Sequence, residues 1–274
     1  PVASPSYPKG PYRFIDREYL IVVYESQPDA IREALPEPLE PDGSNQVLYE
    51  FIKMPDSSGF GDYTESGVVI PAKFNGQAVN FTAQMYLDCH PPIAGGREIW
   101  GFPKKLGHPK LEIKHDTLTG VLDYAGVTVA IATMAYKHEN LICPDSGRPI
   151  ACDANGIVQK MQKTQVNLKI IPDIDGSLKI VQLVAYNLED ITVKGAWEGP
   201  ARLALFRHVN APVADLPVKK SLIRHAFPGR LDPALRAGAP RLLGNLTRTF
   251  QREGSIMNPK KTRMAIFALI ALFI

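Results

Sequence analysis

Two consecutive lysines, Lys104 and Lys105, stand in the run Gly101-Phe102-Pro103-Lys104-Lys105-Leu106-Gly107, directly after Trp100. An amine held against aromatic surface loses hydration of its ammonium form, so its pKa falls and the neutral nucleophile becomes accessible near neutrality. A lysine in that state can attack a ketone and form a Schiff base. Magnitudes rank the causes. An amine of ordinary pKa, about 10.4, is half neutral at pH 7 only if its ammonium form is destabilised by roughly 4.6 kcal/mol. A second charge about 7 Å away supplies about 2.4 kcal/mol at an effective dielectric of about 20. Neighbouring strand residues also face opposite ways, which leaves Lys105 free to point away from Lys104. Desolvation is therefore expected to outweigh Lys105. For the heptad alone, a solvated lysine pair at the start of a strand is the plain alternative.

The segments around these lysines have company. With Gly96-Arg97-Glu98-Ile99 ahead of it, the stretch 101–111 resembles the active-site segment of acetoacetate decarboxylases. Gly10-Pro11-Tyr12-Arg13-Phe14 with Arg17-Glu18-Tyr19, Tyr63-Thr64-Glu65-Ser66-Gly67, Thr133-Met134-Ala135-Tyr136-Lys137-His138, Leu168-Lys169-Ile170-Ile171-Pro172 and Trp197-Glu198-Gly199-Pro200 are similar to further segments of that family. They occur in the family's order, from about Ser4 to about Val218.

The resemblance implies decarboxylation of acetoacetate to acetone and carbon dioxide through a Schiff base on Lys104, with Lys105 as its cationic neighbour. Loss of carbon dioxide from a β-keto acid leaves an electron pair on carbon, and a protonated imine is a sink for it. Glu65 is the carboxylate placed by the resemblance near that imine, where it could move protons between amine, carbinolamine and water. Read without the resemblance, Glu65 is a turn glutamate in solvent. Arg17 resembles the family arginine whose guanidinium fork holds a glutamate or receives the keto-acid carboxylate. Glu50, between Tyr49 and Phe51, matches the family's second glutamate, or else faces outward from its strand. Phe102 stands where relatives carry tyrosine, which implies a drier pocket, and Met85 is expected to line the cavity or to fill the core. No cofactor is implied. The partners implied are a small β-keto acid and further copies of the chain in a homo-oligomer, in the cytoplasm. Two other readings stay open: a Schiff-base aldolase or dehydratase of the same fold acting on a larger keto acid, and a non-catalytic binder of hydrophobic ketones. The intact lysine argues against the binder, since burying an amine without a task is costly.

The elements that position these residues read as strands. Residues 127–134, 121–124 and 111–114 are rich in β-branched side chains, and 116–120 and 125–126 supply turns between them, giving an antiparallel meander. Residues 168–171 and 178–186 form a second hairpin through Pro172 to Ser177, and 47–52 and 81–87 are further strands. Helices are few: 29–35, ended by Pro36, and 202–209, whose Leu203, Leu205 and Phe206 fall in one apolar arc. The chain is mainly β (α+β), and the resemblance implies a closed antiparallel β cone or barrel-like architecture with a few peripheral helices. One domain is expected over 1–257, followed by an atypical tail, 258–274.

Composition sets the remaining bounds. The 274 residues, 45% hydrophobic, can bury a large core. A net charge of +3 without basic runs interleaved with aromatics makes nucleic acid a poor partner. Cys89, Cys143 and Cys152 are an odd number at wide spacing, which suits a reducing compartment and neither a disulfide framework nor a thiolate metal site. Cys89-His90 would point to opposite faces of a strand and could not easily share an ion. Residues 1–11 lack the apolar core of a signal peptide. Gly95-Gly96 lacks the spacing of a phosphate loop. His108, His115 and His138 suit surface hydrogen bonding. In the tail, Lys260-Lys261-Thr262-Arg263 precedes the apolar run 264–274, which is shorter than the roughly 20 residues a bilayer requires. A partner-docking helix, a membrane-surface foot and a divergent reading frame all remain open for it.

Overall fold

A computed structural model describes residues 3–141, 162–189, 191 and 193–219, together with the short strands at 230–231, 235–237 and 241–245. Cys143, Cys152 and the tail 258–274 lie outside the described residues. Two sheets carry most of the chain. In the larger, β1 (Arg17–Glu25), β2 (Gln46–Ser57), β3 (Gly61–Phe74) and β4 (Gln77–Leu87) lie side by side and antiparallel. The smaller is the meander β6 (His108–Lys114), β7 (Thr117–Tyr124) and β8 (Val127–Ala135), completed by β11 (Ala201–Leu205) beside β8.

The outer edge of β4 is shared. Its first half pairs with β9 (Gln165–Pro172), through Asn80 with Gln165 and Phe81 with Val166, while its end pairs with the three-residue β5 (Lys104–Leu106). Both pairings are parallel, so the larger sheet is mixed, where the resemblance implied an antiparallel one. β10 (Leu178–Tyr186) returns from β9 as the expected hairpin. Among the described residues neither sheet closes on itself, so the mainly β class stands without the closed cone.

Period-two alternation divides the larger sheet into two working faces. Leu20 and Val22 of β1, Tyr49 and Phe51 of β2, and Val68 and Ile70 of β3 pack with Leu111, Leu118, Leu122 and Val129 of the smaller sheet in the main core. On the opposite face, Tyr19, Ile52, Met54, Tyr63, Met85 and Leu87 form a second buried cluster. That second cluster is the floor of the candidate site.

Several local expectations change. Residues 202–209 do not form a helix: Ala201–Leu205 is a strand, with Leu203 paired to Ala132 and Leu205 to Ala130. The arc of Leu203, Leu205 and Phe206 was compatible with either period, and pairing along β8 decided between them. Thr117 to Gly120 belong to β7 rather than to a turn, which falls instead at His115 and Asp116. Cys89 precedes the short helix α2 (His90–Gly95), of which His90 is the first residue, so that pair is not on a strand at all. The expected helix at 29–35 forms one residue earlier, as α1 (Pro28–Ala34). No helix of the described residues is long and apolar enough to cross a membrane.

Candidate active site

Cross-strand register assembles the site. One row runs Ile21, Glu50, Gly67, Met85 and Lys104 across β1 to β5, and the next runs Tyr19, Ile52, Glu65, Leu87 and Leu106. Lys104 and Glu65 thus approach from strands separated by β4. The Lys104 ammonium donates to Glu65 Oε1 at 2.6 Å, and the two residues retain only 8% and 3% of their accessible surface. The amine also lies 4.9 Å from the Phe102 ring centre. Lys105 faces the other way. Its surface is exposed, and its amine folds onto the Asn210 carbonyl at 2.8 Å, where partial burial, with Arg97 as a secondary cationic neighbour, lowers its pKa.

A cavity of about 90 Å³ opens over the Lys104–Glu65 pair. Phe14, Phe60, Trp100, Phe102 and Met54 supply apolar wall, and Tyr12, Arg17, Tyr63 and Tyr186 also line it. Arg17 is buried between the Phe14 and Tyr19 rings, 5.0 and 5.2 Å from their centres, and its Nε has no hydrogen-bond partner among the described residues. Glu50 is partly buried one strand from Glu65. Desolvation, augmented by Glu65 and opposed by Arg17, pushes its carboxyl up to about 7. Burial raises the hydroxyls of Tyr63 and Tyr186 well above the usual phenol range, with nearby carboxylates adding to the effect, so both stay protonated. A more open depression of about 440 Å³, between Glu18, Lys53 and Glu112, contains none of the candidates.

The structure therefore gathers Lys104, Glu65, Arg17 and Phe102 around one cavity. Glu50 stands behind it, and Met85 lies in the layer beneath, with Met54 at the wall instead. Trp100, read from the sequence as the aromatic neighbour of the lysines, lines the cavity, whereas Tyr63 and Tyr186 were not foreseen there. Tyr63 lay within a quoted segment without an assigned role, whereas Tyr186 reaches the site through its packing on Trp100 and Phe102, at ring separations of 5.6 and 5.3 Å. Long-range stacking of that kind leaves no local signal.

The acetoacetate decarboxylase family profile matches residues 1–239. The chain belongs to this family. Acetoacetate decarboxylase from Acidiphilium cryptum is 52% identical over 220 residues, covering 80% of this chain and 85% of that protein. The enzyme of the same name from Paraburkholderia phytofirmans is 53% identical over 218 residues, covering 80% and 82%. Among solved structures, acetoacetate decarboxylase from Legionella pneumophila superposes with a TM-score of 0.79 at 45% identity, covering 88% of this chain and 90% of that one.

The π-helical turn Gly96–Trp100 joins α2 to the lysine strand and completes the site of this family member. Gly101 caps the turn at φ 72°, and Asn167 Nδ2 of β9 donates to the Trp100 carbonyl at 3.0 Å. Arg97 Nη1 donates to the carbonyl of Lys104 itself, also at 3.0 Å. π-turns are rare and concentrate at functional sites. Here one side of the turn touches β9 and the other the catalytic candidate.

Proposed function

We propose that the protein decarboxylates acetoacetate to acetone and carbon dioxide through an imine on Lys104, without a cofactor. The observation that carries this reading is the 2.6 Å contact between two buried groups, the Lys104 amine and the Glu65 carboxylate, at the foot of an aromatic cavity. An ammonium is not a nucleophile. Transfer of its proton to Glu65 leaves a neutral amine that attacks the ketone carbon, and the protonated Glu65 returns the proton to the hydroxyl that departs as water. The resulting iminium accepts the electron pair of the carbon–carboxylate bond as carbon dioxide leaves. Protonation of the enamine carbon and hydrolysis release acetone and restore the lysine.

Arg17 is the group we assign to the substrate carboxylate, because it is a cationic side chain that lines the cavity together with Lys104 and Glu65. Glu50, its carboxyl pushed up to about 7 by burial, is partly protonated near neutrality and is assigned as a reserve acid on the strand next to Glu65. Lys105 lies too far round the strand to touch the substrate and contributes at most a distant charge. Phe102 and Met85 shape the pocket and its floor. The cavity's small volume favours a short β-keto acid over a larger one. We further take residues 1–257 as a single domain that works as a cytoplasmic homo-oligomer.

Borohydride added during turnover of acetoacetate is expected to reduce the iminium and leave an isopropyl group on the peptide containing Pro103-Lys104-Lys105. Lys104→Ala is expected to lose both label and acetone release. Label on another lysine, with Lys104→Ala still active, overturns the assignment.

A further inference from the structure

Gly96 occupies ordinary right-handed helical backbone, with φ −60° and ψ −43°. Nothing in that conformation calls for glycine, and glycine inside a helix is about 0.5–1 kcal/mol less favourable than alanine. The reason must lie in what surrounds the missing side chain. A Cβ built on Gly96 would stand 2.6 Å from Cδ, 3.0 Å from Cε and 3.3 Å from Nζ of Lys104. These are the last three atoms of the lysine, so the space a side chain at position 96 would need is taken by the reactive end of that chain.

We propose that Gly96 is a positioning residue, a seat whose lack of a side chain fixes the Lys104 amine on Glu65. The inference rests on the reading of Lys104 as the imine-forming group. Three contacts confine the lysine: the Gly96 backbone, the Phe102 ring and the Glu65 carboxylate. The seat cannot easily retreat, because the Phe102 N–H donates to the Gly96 carbonyl at 3.0 Å and Arg97 holds the Lys104 carbonyl. A methyl group at position 96 therefore displaces the amine from Glu65 or pulls Arg97 and Phe102 away with the turn. Either displacement disturbs the proton transfer on which imine formation depends.

Displacements of about 1 Å in a reacting group can lower rates about a hundredfold. Gly96→Ala is accordingly expected to reduce acetone release and the rate of borohydride labelling at Lys104 together, on the order of a hundredfold. Thermal unfolding of the full-length parent, Gly96→Ala, Lys104→Ala and the double variant supplies a readout independent of catalysis. Gly96→Ala is expected to lower the melting temperature of the parent and to leave that of Lys104→Ala unchanged or slightly raised, because the second background has vacated the space and the helical backbone favours alanine. Should Gly96→Ala not fold, normal folding of the double variant supports the seat. An equal loss of stability in both backgrounds, or failure of the double variant to fold, assigns the glycine to the turn itself and overturns the proposal. So does labelling within threefold of the parent. Failure of the imine reading would look different: Lys104→Ala would then retain turnover, whatever Gly96→Ala did.

Discussion

Glu50 titrates in a different range once folded, and its effect on stability has a definite sign. Its carboxyl moves from an ordinary 4.5 up to about 7, chiefly by desolvation, with Glu65 reinforcing and Arg17 opposing the shift. Between these two values the folded protein binds more protons than the unfolded chain, so stability from this group falls as pH rises through the window. Below about 4.5 both states are protonated and the group is neutral in the balance. Above 7 the full penalty applies, on the order of 3 kcal/mol. Glu50→Gln is therefore expected to melt at the parent's temperature near pH 4 and to gain on it progressively up to pH 7.5, as read by calorimetry across that range. A difference that does not change with pH would show that Glu50 is not held protonated. Read from the residues alone, Glu65 is a turn glutamate in solvent, and it is the fold that brings it across from β3 into contact with Lys104.

Elements were legible where their own periodicity carried them. β8 is rich in β-branched residues, and the hairpin of β9 and β10 is punctuated by proline, aspartate and glycine, so both were read from local signals. β3, which carries Glu65, was not. Its residues 65–72 are buried without alternation, and Gly67 and Pro71 interrupt it as turn residues would. The row from Glu50 to Lys104 depends on that strand, which is why the sequence supplied the chemical groups without their neighbours. The turn Gly96–Trp100 was equally hidden, since Gly95-Gly96 carries no helical periodicity. Its hold on β9 makes a testable point. A Cβ on Gly101 would lie 2.7–2.8 Å from Cβ, Cα and N of Lys169, at a left-handed φ that costs a non-glycine residue about 1–2 kcal/mol by itself. Gly101→Ala is expected to destabilise the fold by more than about 2 kcal/mol in denaturant unfolding and to lower turnover as the turn leaves its place. A change below about 0.5 kcal/mol would mean that β9 does not brace the turn.

At the scale of the whole molecule, the two faces of the larger sheet divide the work. The main core lies between the sheets, while the Lys104 cavity and its buried floor lie on the other side. Packing against the smaller sheet can thus stabilise β1 to β4 without filling the space above Lys104. Chemistry is also concentrated along the chain: Arg17, Glu50, Glu65 and Lys104 all precede residue 105, and the family match ends at residue 239. The tail 258–274 falls beyond both limits. Its last eleven residues are apolar without a polar face, so in isolation they would form the kind of surface that drives association. Deleting residues 258–274 is expected to leave acetone release per active site unchanged, counted by borohydride labelling of Lys104, while improving solubility or altering oligomer size in sedimentation. Loss of activity in a truncated protein that still melts cooperatively would instead make the tail part of the cavity wall. In that case the site could not be confined to one face of the sheet, and the division of labour between its two faces would fail with it.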